Sequence, residues 1–304
     1  MNKINIIHLL AQKIDIKFIL EDEWMNRHTT FKVGGVADLY VIPQTEEELM
    51  HAIQICQNEQ VPYYVIGNGS NLLVTDKGYR GIIIEVYKAL SDIEVKGNQI
   101  TAYAGALLSR IANAALEHEL AGFEFAHGIP GTLGGAVTMN AGAYDGDMKG
   151  VLVEAIVIDE QGELRTLTLE ELELDYRTSI ISKQGYTVVR ATIELKPGNK
   201  VDIKAKMQDL MQRRRDKQPL EYPSAGSTFK RPVGHFAGKL IMDSALQGYQ
   251  VGGAQVSEKH CGFVINKGNA TFQDIKTLIE DVQKCVKDKF NVELETEVKV
   301  IGEK

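Results

Sequence analysis

The chain has 304 residues, 44% hydrophobic and 25% charged, which are globular proportions that exclude a disordered or low-complexity polymer and leave room for two or three domains. Its 34 basic and 41 acidic side chains give a formal charge of −7, which argues against broad attraction to nucleic acid or an anionic membrane. Cys56, Cys261 and Cys285 stand far apart without C-x-x-C spacing, so neither a disulfide framework nor a zinc site is expected.

The first twenty residues read as a helix. Asn5, His8, Gln12, Lys13, Asp15 and Lys17 interrupt them, so they lack the apolar run of a signal peptide, and no later stretch is long and apolar enough to cross a bilayer. A cytoplasmic protein is the expectation. TTFKVGGVADLYVIP, residues 29–43, reads as a loop punctuated by Gly34 and Gly35 and then a strand. Thr45 and Glu48 have capping-box spacing, and Leu49, Ala52, Ile53 and Cys56 follow at helical spacing. PYYVI is a buried strand that runs into GNGSN, residues 67–71. Strands at 82–84 and around 93 and 102 come next, then a helix LLSRIANAALEHEL and a second glycine-rich stretch, GIPGTLGGAVTMNAGAYDG, read as a loop.

VEAIVIDEQGELRTL alternates about a turn at Gly162, the pattern of a hairpin. An acidic helix precedes LDYRTSI, and TVVRATIEL is another strand. KPGN at 196–199 is the candidate domain boundary. Beyond it the sequence predicts a basic helix through RRRDK, a short helix AGKLIM, strands near 251 and 263, a helix capped by Thr271 and Asp274, and a final strand VELETEVKVI. Strands grouped with helices, without strict alternation, point to an α+β fold.

Neither glycine-rich stretch is a standard nucleotide fingerprint. GNGSN lacks the last glycine of G-x-G-x-x-G, and no G-x-x-x-x-G-K-[ST] occurs. Short loops of Gly, Asn and Ser nonetheless leave backbone N–H groups uncovered and able to cradle a diphosphate; the alternative is that the glycines of GNGSN only mark a turn. In the second stretch Gly128, Gly131, Gly134, Gly135, Gly142 and Gly146, interleaved with Asn140, make a poor core and a good backbone surface for a large flat ligand.

Arg177 in LDYRTSI offers a planar fork of donors suited to a carboxylate, or is a surface arginine beside Tyr176. Alternation in VELETEVKVI places Val292, Leu294, Thr296, Val298 and Val300 on one face, with Glu293, Glu295, Glu297 and Lys299 on a solvated one. Ser227 in SAGSTFKRP completes no G-x-S-x-G elbow and has no neighbouring His–Asp pair. It is either a turn serine or a serine that gives up a proton. Arg213, Arg214 and Arg215 with Lys217 form the solvated end of a helix, or meet a diphosphate. No histidine has metal-ligand spacing, so no catalytic metal is expected.

Taken in order, TTFKVGG, GNGSN, FAHGIPGTLGGAVTMNAGAYDG, LDYRTSI, AGSTFKRP, GHFAGKLI and ETEVKVIG resemble the UDP-N-acetylenolpyruvoylglucosamine reductase (MurB) family, in its compact second type. The resemblance implies an α+β fold with an FAD-binding half of the vanillyl-alcohol-oxidase (PCMH) type in two lobes. Its expected division is an N-terminal helical segment over 1–24, the FAD-binding domain over 25–198 and a substrate domain over 199–304. FAD contacts are implied at Gly67, Asn68, Gly69, Ser70, Asn71, Gly128, Gly131, Gly134, Gly135 and Asn140. NADPH would reduce FAD, and reduced FAD would pass hydride to the β-carbon of UDP-N-acetylglucosamine enolpyruvate in peptidoglycan precursor synthesis. Arg177 and a protonated Glu297 would polarise the carboxylate, Ser227 would supply the proton, and Tyr176, Lys217 and Arg231 would bind substrate. The resemblance assigns no role to His127. A flavin-dependent oxidase of the same fold and a nucleotide-sugar binding protein without turnover are the competing readings.

Overall fold

The computed structural model describes residues 2–303. The chain divides into two compact units. The first takes the residues up to Glu21, then Leu39–Asn68 and Gly81–Arg214; the second takes Asp22–Asp38, Gly69–Arg80 and the chain from Arg215 onward.

In the first unit the helix Glu46–Asn58 begins as its sequence predicts. The Thr45 hydroxyl accepts from the Glu48 N–H at 3.1 Å, and Leu49, Ala52, Ile53 and Cys56 are buried behind it. Tyr63–Ile66 pairs in parallel with Ile82–Glu85, within a four-stranded sheet ordered Ile19–Trp24, Val36–Val41, Tyr79–Glu85, Tyr63–Ile66. A five-stranded antiparallel sheet runs in the order Leu164–Thr168, Leu152–Ile158, Thr187–Glu194, Gln99–Tyr103, Ile93–Lys96. Its first two strands are the expected hairpin. Gly162 supplies the turn at φ +81°, and the Asp159 carboxylate accepts from the N–H groups of Gln161 and Glu163. The helix Leu108–Glu117 buries Leu108, Ile111, Ala112, Ala115 and Leu116 in the same core.

The units change over at 214/215, not at 198/199. The helix Lys200–Lys217 seats Ile203 and Met207 in the core of the first unit, so most of it belongs there. The second unit is built on the helix Phe272–Phe290, whose Ile275, Leu278, Ile279, Val282 and Val286 are buried. It also holds the antiparallel strands Gln250–Val251, Ala254–Val256 and Val264–Asn266 and the short helix Ala237–Asp243. Lys299–Ile301 pairs in parallel with Leu72–Val74 inside this unit, so chain segments far apart in sequence share one ladder. No helix among the described residues is long and apolar enough to cross a membrane.

Four local expectations change. The N-terminal segment is α-helical only over Lys3–Leu10, and Ile19–Trp24 is a strand of the four-stranded sheet, not part of a helical segment. The stretch after GIPG contains a helix, Leu133–Thr138, because Leu133, Ala136 and Val137 bury one face despite Gly134 and Gly135. The acidic segment before LDYRTSI is a series of turns, in which Glu171 turns back on Thr168 and accepts from its N–H and hydroxyl. Of VELETEVKVI only Lys299–Ile301 is strand, with one isolated bridge from Thr296 to Phe229. Leu294 and Val298 are buried as alternation predicts, but Val300 is exposed and Glu297 is half-buried.

The cap of the long helix is reciprocal. The Asp274 N–H donates to the Thr271 hydroxyl at 3.0 Å, and the Thr271 N–H donates to the Asp274 carboxylate at 3.0 Å. That second bond, with a further one from the Gly253 N–H, holds the Asp274 carboxyl below its ordinary value. Its stabilisation is therefore complete above about pH 4 and fades as pH falls through the lower folded-state value. Thr271→Ala should cost about 1 kcal/mol, read as a lower urea midpoint at unchanged slope. A midpoint equal to wild type would show that the cap contributes nothing.

Candidate active site

The first unit brings its share of the two glycine-rich stretches together. The Asn68 carboxamide donates to the Pro130 carbonyl at 2.9 Å, and a Cβ on Gly67 would lie 2.0 Å from the Thr132 hydroxyl oxygen. Gly67 is glycine because nothing larger fits against that buried threonine. The Gly131 carbonyl accepts from the Leu108 N–H at 3.1 Å, and the Gly134 N–H donates to the Ala104 carbonyl at 2.9 Å. A Cβ on Gly134 would stand 2.8 Å from that of Ala104. At Gly135 the nearest atom to such a Cβ is 4.0 Å away, so its surroundings are open. A Cβ on Gly128 would meet the Arg214 guanidinium at 2.9 Å, and burial pushes the pKa of that guanidinium down.

Asn140 and Arg177 form a second cluster in the same unit. Asn140 is buried at φ +43°; its carboxamide oxygen accepts from the Lys149 N–H at 2.9 Å, and its Nδ2 donates to the Asp175 carbonyl at 3.1 Å. The side chain thus braces the turn that carries Asp175, Tyr176 and Arg177. Arg177 lies at φ +57° and donates to the carbonyls of Asn140 and Gly142 at 3.3 and 3.1 Å. Its guanidinium sits 5.2 Å from the centre of the half-exposed Tyr176 ring. The fork is therefore oriented before any carboxylate arrives.

In the second unit, Gly69 is buried at φ +64°, and its missing Cβ leaves room for the His28 carbonyl, which would otherwise be 2.1 Å away. Ser70 is half-buried. The Asn71 Nδ2 donates to the Glu297 carbonyl at 3.2 Å, and the Asn71 carbonyl accepts from the Lys299 N–H at 2.9 Å. Ser227 is half-buried beside Gly226 at φ +75°. Its neighbour Thr228 makes three bonds. The Thr228 N–H donates to the Gly262 carbonyl at 2.9 Å, its hydroxyl oxygen accepts from the Val264 N–H at 2.9 Å, and its carbonyl accepts from the Glu297 N–H at 2.8 Å. Asn71, Ser227 and Glu297 are thus joined within two hydrogen bonds. Lys217 and Arg231 are exposed, the latter 4.0 Å over the ring of Phe236.

The sequence gives no sign of Thr228 or Thr132 as organising residues. A polar β-branched residue beside a glycine is common, and only the fold shows that these two are buried and bonded or closely packed. Asn71 is visible in GNGSN, but its role as a brace for Glu297 is not. Among the described residues no group of three or more His, Cys, Asp or Glu could hold a metal ion. Burial pushes the Cys56 thiol up to about 12 and that of Cys261 upward, so neither offers a thiolate nucleophile.

These features fit a flavin cofactor. Gly67 and Gly134 let backbone approach where a side chain would block, the space at Gly135 is open, and the buried Nδ1 of His127 in the same stretch has no hydrogen-bond partner.

Residues 37–168 match the FAD binding domain family, and residues 218–301 match the C-terminal domain of UDP-N-acetylenolpyruvoylglucosamine reductase. A reductase of that name from Clostridium perfringens is 55% identical over 294 residues, covering 97% of this chain and 96% of the relative. Its namesake from Clostridium novyi is 53% identical over 303 residues, covering 100% and 98%. The crystal structure of the Thermus caldophilus enzyme superposes with a TM-score of 0.79 at 34% identity, covering 93% of this chain and 97% of the other. Alkyldihydroxyacetonephosphate synthase, at 14% identity and a TM-score of 0.50 over 64% of this chain, shares the fold alone. The expected α+β fold, with an FAD-binding half of the PCMH type, is the fold found. With relatives above half identity along nearly its whole length, the chain belongs to the UDP-N-acetylenolpyruvoylglucosamine reductase family.

Proposed function

We propose that this chain is an NADPH-dependent flavoenzyme that reduces the enolpyruvyl ether of UDP-N-acetylglucosamine to the lactyl ether of UDP-N-acetylmuramate. The observation that carries the reading is the tie through Thr228, which places Ser227 next to the residue that bonds Glu297, in a chain of this family. FAD, when bound, supplies hydride transfer from NADPH to the enolpyruvyl β-carbon. Gly67, Asn68, Gly69, Ser70, Asn71, Gly128, Gly131, Gly134, Gly135 and Asn140 are the residues proposed to hold it.

What remains for the protein is charge and a proton. Adding hydride to the β-carbon drives electron density onto the α-carbon and its carboxylate, so preorganised donors lower the barrier. Arg177, fixed by two carbonyls, is suited to take the carboxylate. Glu297, protonated, donates a hydrogen bond to the same group, and its half-buried position distinguishes it from the exposed Glu293 and Glu295. Ser227 gives its hydroxyl proton to the α-carbon. That step needs position and a strongly basic acceptor, and no neighbouring base has to activate the serine. Tyr176 lies against Arg177 for the same group, and Lys217 and Arg231 offer cations to the substrate's phosphates.

Ser227→Ala should leave reduction of the flavin by NADPH near the wild-type rate. Its reoxidation by the enolpyruvyl nucleotide should slow by roughly a hundredfold or more, followed by flavin absorbance in stopped flow. Reoxidation at the wild-type rate would remove Ser227 from the proton step. Thr228→Val keeps shape but leaves the buried Val264 N–H without its acceptor, at a cost of about 1–3 kcal/mol. A melting temperature unchanged from wild type would show that the hydroxyl is not part of the tie.

A further inference from the structure

Thr228 holds Ser227 from its C-terminal side. On the other side stands Gly226 at φ +75°, where a Cβ would find nothing within 4 Å, so that glycine is a swivel with no packing of its own. A restraint on the serine from its N-terminal side must therefore act earlier in the chain. It comes from Thr30 in TTFKVGG, a stretch that the proposed reaction does not use.

Thr30 bonds in two directions. Its hydroxyl donates to the Ser224 carbonyl at 2.7 Å, and its N–H donates to the Gly69 carbonyl at 3.3 Å. The residues before it close on Gly69 as well, since a Cβ there would collide with the His28 carbonyl and lie 2.9 Å from the Thr29 Cα. Backbone packed so closely has no room to slide. Phe31 repeats the link through Asn266. The buried Asn266 donates from Nδ2 to the Phe31 carbonyl at 3.2 Å, and its N–H donates to the Pro223 carbonyl at 2.8 Å. Its Oδ1 accepts from the N–H groups of Gly268 and Ala270, both at 3.1 Å. All these segments belong to the second unit, so one short stretch grips both the Gly69 loop and the turn that leads into Ser227.

The links differ in kind. Asn266 is buried and bonded through both side-chain polar atoms, which makes it part of the framework. Thr30 is half-buried, and its hydroxyl bonds directly to the start of the serine loop. Thr29 offers a contrast, because its hydroxyl donates to the Val33 carbonyl at 3.3 Å and stays within its own turn.

We propose that Thr30 is a positioning residue for the proton step: its hydroxyl keeps the Ser227 loop in register with the Gly69 loop, and thus the proton donor in register with the flavin site. The inference rests on the reading above, in which Gly69, Ser70 and Asn71 hold FAD and Ser227 gives the proton. Hydride and proton go to adjacent carbons of one substrate, and a displacement of about 1 Å costs on the order of a hundredfold in rate. Thr30 acts through Ser224 and not on the substrate.

Thr30→Val and Thr30→Ala remove the hydroxyl with and without its shape, Thr30→Ser retains it, and Thr29→Val removes a neighbouring hydroxyl that does not reach the serine loop. In FAD-loaded protein, stopped flow follows flavin reduction by NADPH and then reoxidation by the enolpyruvyl nucleotide, each in light and heavy water. In Thr30→Val, reduction should stay within about twofold of wild type while reoxidation slows roughly tenfold or more. The solvent isotope effect on reoxidation should rise, because proton transfer from a displaced serine becomes limiting. Thr30→Ser should come within a few-fold of wild type, and Thr29→Val should lower the melting temperature without changing the isotope effect. A purely structural role would move the melt and leave the isotope effect alone. Wild-type reoxidation in Thr30→Val, slowing without a larger isotope effect, equal slowing of both half-reactions, the same slowing in Thr29→Val, or no recovery in Thr30→Ser overturns the inference. So does failure of both Thr30→Val and Thr30→Ala to take up FAD, which would make the hydroxyl a requirement of folding. If wild-type reduced flavin is not reoxidised by the enolpyruvyl nucleotide, the proposed function falls and takes the inference with it. If the wild type turns over and the variants depart from the expected pattern, only the role of Thr30 is rejected.

Discussion

The arrangement proposed for the second unit depends on Thr228. This buried threonine is bonded to three separate parts of the chain at once: the Gly262 carbonyl, the Val264 N–H and the Glu297 N–H. A hydroxyl and two backbone groups at one residue fix the loop at 257–263, the segment that carries Glu297 and the serine before Thr228. Buried polar groups are costly unless each finds a partner, so such a junction is stable in one arrangement only. Ser227 acquires a defined direction by being next to it. Asn71 closes the arrangement from the other side by donating to the Glu297 carbonyl.

The first unit solves a different problem by removing side chains. At Gly67 a Cβ would meet the Thr132 hydroxyl, and at Gly134 it would meet Ala104. The backbone therefore comes close where a conventional dinucleotide motif would use a strand, a glycine turn and a long helix. The short helix Leu133–Thr138 arises inside the same stretch because its apolar residues and Gly134 face the core, while Gly135 leaves the outer surface bare. Arg177 shows the complementary device. Its left-handed backbone would be unfavourable alone, and it persists because Asn140 and Gly142 accept from its guanidinium, so orientation is set by the fold and not by the ligand.

Regular periodicity in the sequence predicted the helix behind Thr45, the hairpin about Gly162 and the helix capped by Thr271 and Asp274, and each forms for the reason its pattern suggests. The fold class followed from grouped strands and from the order of the motifs. Three things were not legible. Glu297 sits in an alternating segment that predicts solvent, and it is half-buried because the segment runs as a nearly isolated chain against Phe229 and Thr228, not as a sheet edge. The acidic run before LDYRTSI has helical composition but lies in turns, in which the Glu171 carboxylate accepts from the Thr168 N–H. The boundary at KPGN reflects turn chemistry, whereas the compact units divide where the buried face of the following helix ends, a tertiary fact with no local signature. Ser227, Arg177 and Tyr176 were visible as residues, yet the roles proposed for them came from the ordered set of motifs.

The charge distribution reconciles an acidic protein with an anionic substrate. A formal charge of −7 sets the long-range field, but at physiological ionic strength that field decays within about 8 Å, so a ligand at contact responds to the groups it touches. Lys217 has no carboxylate partner among the described residues, whereas Lys230 is matched by Glu295, Lys239 by Asp243 and Lys287 by Glu293. Leaving a cation unmatched confers little stability in the free protein, because an exposed ion pair contributes at most about 1 kcal/mol. It preserves the full charge for a phosphate instead. In the proposed reaction the same holds for the serine, whose proton would go to a developing carbanion and not to a partner within the fold.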